Sequence, residues 1–172
     1  GSADEVAGNK NWKDMYTHEI PSTYKFFNFT LYQDDIYLPC AQYPNPADSF
    51  YHDVPKTYLP ASKARLPIVS DTNLVGKSAD FFTGAWIAMH VRPNKIHYAP
   101  ILNFDAKTGT MTLKDSKRKP KLYSKSKYSL MNSPHYLDLP GEYYLVFPEK
   151  KGEPLKLVLL PAVKGSTKGI RI

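Results

Sequence analysis

Short runs in which apolar and polar residues alternate with period two dominate this chain, and that pattern predicts strands. Thr110-Met111-Thr112-Leu113-Lys114 alternates cleanly after the turn Asp105-Ala106-Lys107-Thr108-Gly109. Asn94–Phe104 supplies the preceding strand, with Pro100 as a bulge or edge position. Residues 94–114 therefore read as a hairpin. Lys25–Tyr32 is aromatic and β-branched, Gln33-Asp34-Asp35 turns the chain, and Ile36, Leu38 and Cys40 alternate on a second strand. Ala85–Val91 is apolar on both faces, as a central strand requires. A third hairpin joins Tyr143–Phe147 to Leu155–Leu160 through a polar turn at residues 149–153.

Residues 43–80 are less regular. Pro44, Pro46, Pro55, Pro60 and Pro67 interrupt any long element. A structureless loop of that length is uncommon inside a compact domain, so a short helix is expected around Lys56–Ala64 or Ser70–Val75. The predicted fold is mainly β: an antiparallel β-sandwich or partly closed β-barrel, with one or two short helices in the 43–80 region. Residues 1–24 read as a polar lead-in, 25–163 as the β domain and 164–172 as a connecting tail. Gly1-Ser2 reads as a cloning remnant and is set aside.

Composition sharpens this picture in three ways. Fifteen Pro against nine Gly fits a loop-rich β protein and argues against long helices. The single cysteine, Cys40, excludes an internal disulfide, and its apolar run predicts a buried, inert thiol. The net charge of +7 is concentrated: Lys114, Lys117, Arg118, Lys119, Lys121, Lys125 and Lys127 fall within fourteen residues, opposed by Asp115 alone. No apolar run is long enough to span a membrane as a helix.

Candidate chemistry is sparse. His18, His52, His90, His97 and His135 form no ligand pair at helical spacing; His90 and His97 lie on neighbouring predicted strands, but further zinc ligands are lacking. No nucleophile elbow and no phosphate loop is present, so no metal, cofactor or catalytic residue is assigned. The segment Asp138-Leu139-Pro140-Gly141-Glu142-Tyr143-Tyr144 reads as a structural corner, with Pro140 and Gly141 central to a type II turn and Asp138, Glu142 and Tyr144 supporting it. The basic run reads first as a solvated hairpin tip. A second reading makes Lys117, Arg118, Lys119 and Lys121 a polyanion contact, with Tyr123, Tyr128 and Trp12 as exposed stacking aromatics. Trp86, mid-strand, reads as core.

Four segments resemble the small β domain near the front of right-handed parallel β-helix proteins that act on polysaccharides. Asp35–Asn45 is similar to a strand running into an Ala-Arg-aromatic-Pro-Asn signature, with Gln42 in place of Arg. Gly84-Ala85-Trp86-Ile87 resembles that domain's central strand. Asn132…Leu137-Asp138-Leu139-Pro140-Gly141-Glu142-Tyr143-Tyr144 resembles its Asn…Leu-Asp-x-Pro-Gly-Glu-Trp-Tyr motif, with Tyr143 in place of Trp. Leu155–Pro161 resembles its closing strand, and residues 167–172 the lead into the first β-helix rung. The resemblance implies a non-catalytic accessory domain of a secreted, periplasmic or cell-surface protein related to α-1,3-galactosidase or β-xylosidase glycoside hydrolases. Its partners would be a polysaccharide and the adjacent β-helix domain. The resemblance also places an anionic glycan above nucleic acid as the match for the basic run. A freestanding carbohydrate-binding module for anionic glycans is the alternative reading, and a small glycan-active enzyme the third.

Overall fold

A computed structural model of the chain describes residues 12–24, 29–46, 57–92, 95–114, 126–150 and 152–172. The strands in chain order are β1 (Tyr16–Ile20), β2 (Leu31–Gln33), β3 (Ile36–Leu38), β4 (Gln42–Tyr43), β5 (Leu59–Pro60), β6 (Lys63–Arg65) and β7 (Ile68–Ser70). They continue with β8 (Trp86–Arg92), β9 (Lys95–Asp105), β10 (Thr110–Leu113), β11 (Lys127–Met131), β12 (Tyr143–Val146), β13 (Leu155–Leu159) and β14 (Ile170–Arg171). Short 3-10 turns occupy Trp12–Asp14, Thr72–Leu74, Ala79–Phe82 and Pro134–Tyr136. The chain is mainly β with antiparallel sheets, and no sheet among the described residues closes into a barrel.

Contacts divide the chain into two units: residues 1–41 with 134–172, and residues 42–133. The first unit holds two three-stranded sheets, ordered β1-β13-β12 and β14-β2-β3. The predicted third hairpin is present, with Tyr143 opposite Leu159 and Val146 opposite Lys156. The first hairpin is also present, with Leu31 opposite Leu38 and Gln33 opposite Ile36. Its turn places Asp34 at φ +52°, a left-handed conformation that aspartate tolerates better than most side chains. Of the expected strand over Lys25–Tyr32, residues 25–28 lie outside the described residues, and the paired portion starts at Leu31.

The lead-in carries structure that its polar sequence does not announce. Tyr16–Ile20 pairs in register with Leu155–Leu159, and Ile20 is buried. At the other end of the chain, Ile170 and Arg171 pair with Gln33 and Tyr32. Gln33 secures this closure: its side-chain Nε2 donates to the Ser166 carbonyl at 2.9 Å, and its Oε1 accepts from Val163 N–H at 3.3 Å. Leu31, Leu38, Leu145, Leu157 and Val158 are all buried and supply much of this unit's apolar interior.

The second unit is one eight-stranded sheet whose main path is β4-β11-β8-β9-β10-β7-β6, with β5 also on β11. β8 is central, as its two apolar faces predict: Ile87, Ala88, Met89 and Val91 are buried between β11 and β9. The predicted 94–114 hairpin is present, with Met111 opposite Phe104 and a bulge where Leu113 meets Ile101. Its turn is fixed by Asp105, whose carboxylate accepts from Lys107 N–H at 2.9 Å and from the Thr108 hydroxyl at 2.8 Å. Those hydrogen bonds, Thr108's first, hold the Asp105 carboxyl below its usual pKa. Phe82 stacks on Phe104 with centroids 3.8 Å apart, which packs the Ala79–Phe82 turn onto this sheet.

Of the helix expected around Lys56–Ala64, Lys56 lies outside the described residues and Thr57 is helical, but from Leu59 the expectation is corrected: Leu59–Pro60 and Lys63–Arg65 are strands. Lys63-Ala64-Arg65 has no strand propensity of its own. It pairs because Ile68–Ser70 presents an edge across a tight turn, and pairing outweighs local preference. Around Ser70–Val75 the helix is a single 3-10 turn, Thr72–Leu74, capped by Asp71, whose side chain accepts from Asn73 N–H.

Candidate functional site

The Leu139–Glu142 corner forms as its sequence requires. Gly141 has φ +92° and Glu142 N–H donates to the Leu139 carbonyl at 3.3 Å, which fits a type II turn with Pro140 and Gly141 at its centre. Gly141 N–H also donates to the Leu160 carbonyl at 2.6 Å, and Leu160 N–H to the Glu142 carbonyl at 3.0 Å. The turn is thereby tied to the strand that returns from β13. Tyr143 N–H donates to the Pro39 carbonyl and Ala41 N–H to the Tyr143 carbonyl, so the chain around Cys40 lies beside the corner. Cys40 is buried, as its apolar run predicts.

Glu142 is the one carboxylate of this corner whose chemistry invites a catalytic reading. It is 2% exposed, and its pKa is raised to about 7, chiefly by burial. The amide bond from Leu139 opposes that rise, and the nearby Asp138 charge adds to it. Glu142 Oε2 accepts from Leu139 N–H at 3.0 Å and from Asp138 N–H at 3.2 Å. These bonds turn the carboxyl back into its own loop. A general acid must reach the leaving-group oxygen of a bound sugar, and a carboxyl enclosed by its own backbone meets none. The residue clamps the corner. Tyr144 is buried beside it, and the Tyr143 hydroxyl has its pKa raised by burial and then by Cys40.

Two depressions lie among the described residues of the first unit. One, of about 490 Å³, is lined by Tyr16, His18, Leu157, Leu159, Ile170 and Ile172 and is mostly apolar. The other, of about 210 Å³, lies by the corner with Asp138, Pro140, Asp14 and Lys164 at its walls, where Lys164 Nζ is 3.9 Å from Asp14. Among the described residues no group of three or more His, Cys, Asp or Glu converges in a geometry able to hold a metal ion. His90 faces Ile96 and His97 faces Met89, so the two histidines occupy opposite faces of their sheet. Burial, then the Lys95 charge, lowers the His97 pKa.

Tyr128 requires a correction. Its sequence context predicts an exposed stacking ring, but it is fully buried, with its hydroxyl 2.6 Å from Asp71 Oδ2. Its neighbours Ser126, Lys127 and Ser129 are polar, and that local polarity suggests exposure. The inward face of β11 decides otherwise. Asp71 is itself fully buried, and its Oδ1 accepts from both Asn73 N–H and Asn73 Nδ2, each at 2.9 Å. The tyrosine is thus the second arm of a buried capping carboxylate. Tyr128→Phe is expected to lower stability by about 2 kcal/mol, because a charge-assisted hydrogen bond is lost and a buried oxygen is left unsatisfied. A shifted urea midpoint at unchanged slope is the readout, and an unmoved midpoint contradicts the assignment.

Lys117, Arg118, Lys119, Lys121 and Tyr123 lie outside the described residues, as does the side chain of Trp12. Trp86, which reads as core in the sequence, is only half-buried. Register puts Trp86 opposite Pro100 and Met131, and puts Tyr98 opposite Ala88. Tyr98 is 37% exposed, and Ala88 beside it is small, so this face of β8 and β9 presents aromatic surface. The signal is legible in principle, because Trp86, Ala88, Tyr98 and Pro100 fall on one face once the β8–β9 register is known.

No model of a known protein family matches this chain, and no curated protein matches it. Among solved structures, one described as a glycoside hydrolase superposes with a TM-score of 0.52 at 15% identity. The match covers 90% of this chain and 27% of that one, so this chain spans about a quarter of that structure's length. Among the described residues no helix is long and apolar enough to cross a membrane. In fold, the chain resembles a domain within a glycoside hydrolase.

Proposed function

We propose that this chain is a non-catalytic accessory domain of a secreted polysaccharide-acting protein built on a parallel β-helix, where it packs beside the helix and assists carbohydrate binding. The observation that carries this reading is the asymmetry of the structural match: nearly all of this chain corresponds to a minor part of a glycoside hydrolase. The Leu-Asp-Leu-Pro-Gly-Glu-Tyr-Tyr segment, whose sequence resembles the motif of that β-helix-associated domain, supports the finer assignment. The burial of Glu142 against its own loop is consistent with a domain that positions other groups and performs no hydrolysis.

Reading the gene across the codon for Ile172 tests this directly. β-helix repeats are expected downstream, and a stop codon there overturns the proposal. In the longer product, deletion of residues 25–163 is expected to reduce turnover of long polysaccharide more than turnover of a small aryl glycoside.

A further inference from the structure

Two strands of the first unit have an open flank among the described residues. β1 ends the sheet ordered β1-β13-β12, and β14 ends the sheet ordered β14-β2-β3. Every second residue of such a strand directs its backbone N–H and C=O away from the sheet, where a further strand can take them up. The cleft of about 490 Å³ is lined from both strands, and by Leu157 and Leu159 of β13.

No Lys, Arg, Asp or Glu lines this cleft among the described residues. Register sets Tyr16 opposite Leu159 and His18 opposite Leu157, so these four share one face, and it sends Glu19 and Lys156 to the other. On the tail, Ile170 and Ile172 line the cleft, while the Arg171 guanidinium turns to the Asp34 carbonyl and, at 3.4 Å, to the Asp35 carboxylate. A sulfated or uronic glycan therefore finds no Lys or Arg here. Tyr16 is 38% and Ile172 48% exposed, so apolar surface faces water on both walls. An aromatic and aliphatic lining depleted of charge is what the core of a contact between folded bodies requires.

The tail is also held fast. Besides its bond to Ser166, the buried Gln33 side chain donates to the Lys168 carbonyl at 3.4 Å, and Asp34 N–H donates to the Gly169 carbonyl at 2.9 Å. Gly169 has φ +74°, and a Cβ there would strike the Asp34 side chain, so the tail sits flush on the turn between β2 and β3. Ile172 is thereby fixed at the cleft, and any polypeptide joined to it starts there. A segment tethered so close acts at an effective concentration on the order of millimolar, which puts it ahead of a second copy arriving from solution.

We infer that this cleft seats the adjacent β-helix domain: an extended apolar segment of that domain lies along β1, hydrogen-bonded to its open flank and packed on Tyr16, Leu157, Leu159, Ile170 and Ile172. This rests on the accessory-domain reading above.

Amide hydrogen exchange should be compared between the 172-residue chain and the longer product of its gene. The outward amides of Tyr16–Glu19 are expected to exchange about tenfold or more slowly in the longer protein. Ile36–Leu38, the far edge of the β14-β2-β3 sheet, is the control and should exchange alike in both. In the longer protein Tyr16→Asp is expected to abolish the added protection, and Tyr16→Phe to retain it. Circular dichroism of the same variants in the 172-residue chain checks that the sheets are kept. Equal slowing of Ile36–Leu38, or protection that survives Tyr16→Asp, overturns the inference. So does a dimer of the 172-residue chain that Tyr16→Asp dissolves, which would make a second copy the occupant, or binding of a neutral oligosaccharide that Tyr16→Asp removes. A gene without β-helix repeats fells the accessory-domain reading and this inference together. Unchanged exchange of Tyr16–Glu19 in a protein that has those repeats fells this inference alone.

Discussion

Replacing Gly109 with alanine is expected to destabilise the second unit by about 3–4 kcal/mol, combining left-handed strain with a broken backbone contact. Gly109 has φ +63°, and a Cβ there would crowd the Asp71 carbonyl oxygen far inside van der Waals contact. Both obstacles belong to the backbone, so no rotamer relieves them. Asp71 N–H donates to the Gly109 carbonyl at 3.0 Å, and this contact ties the start of β10 to the end of β7. Moving the two segments apart breaks it and disturbs the Asp71 carboxylate that Tyr128 and Asn73 hold. Gly76 is the internal control: its φ is +80°, but a Cβ added there would meet nothing within 4 Å. Gly76→Ala should therefore cost only about 1 kcal/mol, from left-handed strain alone. Chemical denaturation of both variants separates conformation from crowding. Equal losses would show that the Asp71 carbonyl yields readily.

The second large effect is a pH dependence carried by Glu142. Its carboxyl is raised from 4.5 to about 7 in the folded protein, mainly by burial. Folding thus favours the protonated acid. The stabilisation is complete below the unfolded value and is lost as pH rises through the folded one, so the window runs from about 4.5 to about 7. With a tenfold change in protonation equilibrium equal to about 1.4 kcal/mol, about 3 kcal/mol is lost across that window. Glu142→Gln keeps an acceptor for the Asp138 and Leu139 amides and carries no charge to desolvate. The variant is expected to match the wild type near pH ~4 and to exceed it by about 3 kcal/mol near pH ~8. Denaturation of both proteins across this range measures the difference directly. A constant difference would show that Glu142 ionises in the folded state as readily as in the unfolded one.

Much of the local fold is legible in the sequence. The three hairpins follow from turn residues that act over a few positions: Asp34 at positive φ, Asp105 holding Lys107 and Thr108, and the alternation around each turn. The Pro140-Gly141 corner is legible for the same reason, since its geometry is a property of four consecutive residues. What sequence does not place is partnership at a distance. Tyr16–Ile20 shows four exposed positions and one buried, a weak pattern by itself, and becomes a strand only because β13 offers it an edge. Tyr128 looks exposed among serines and a lysine, and only Asp71 on a remote turn explains its burial. Trp86 and Tyr98 are separate residues in the sequence, and the β8–β9 register makes them one surface.

The pairing of Tyr16–Ile20 with Leu155–Leu159 also bears on the order in which the polypeptide can acquire its shape. As the chain leaves the ribosome, the segment from Gln42 to Ser133 is complete before Leu159 has been translated. The earlier-made strand must stay without its edge partner until that later one appears, and closing so long a stretch of chain is entropically slow. Synthesis therefore delivers the insert whole while its frame is still waiting for its other half.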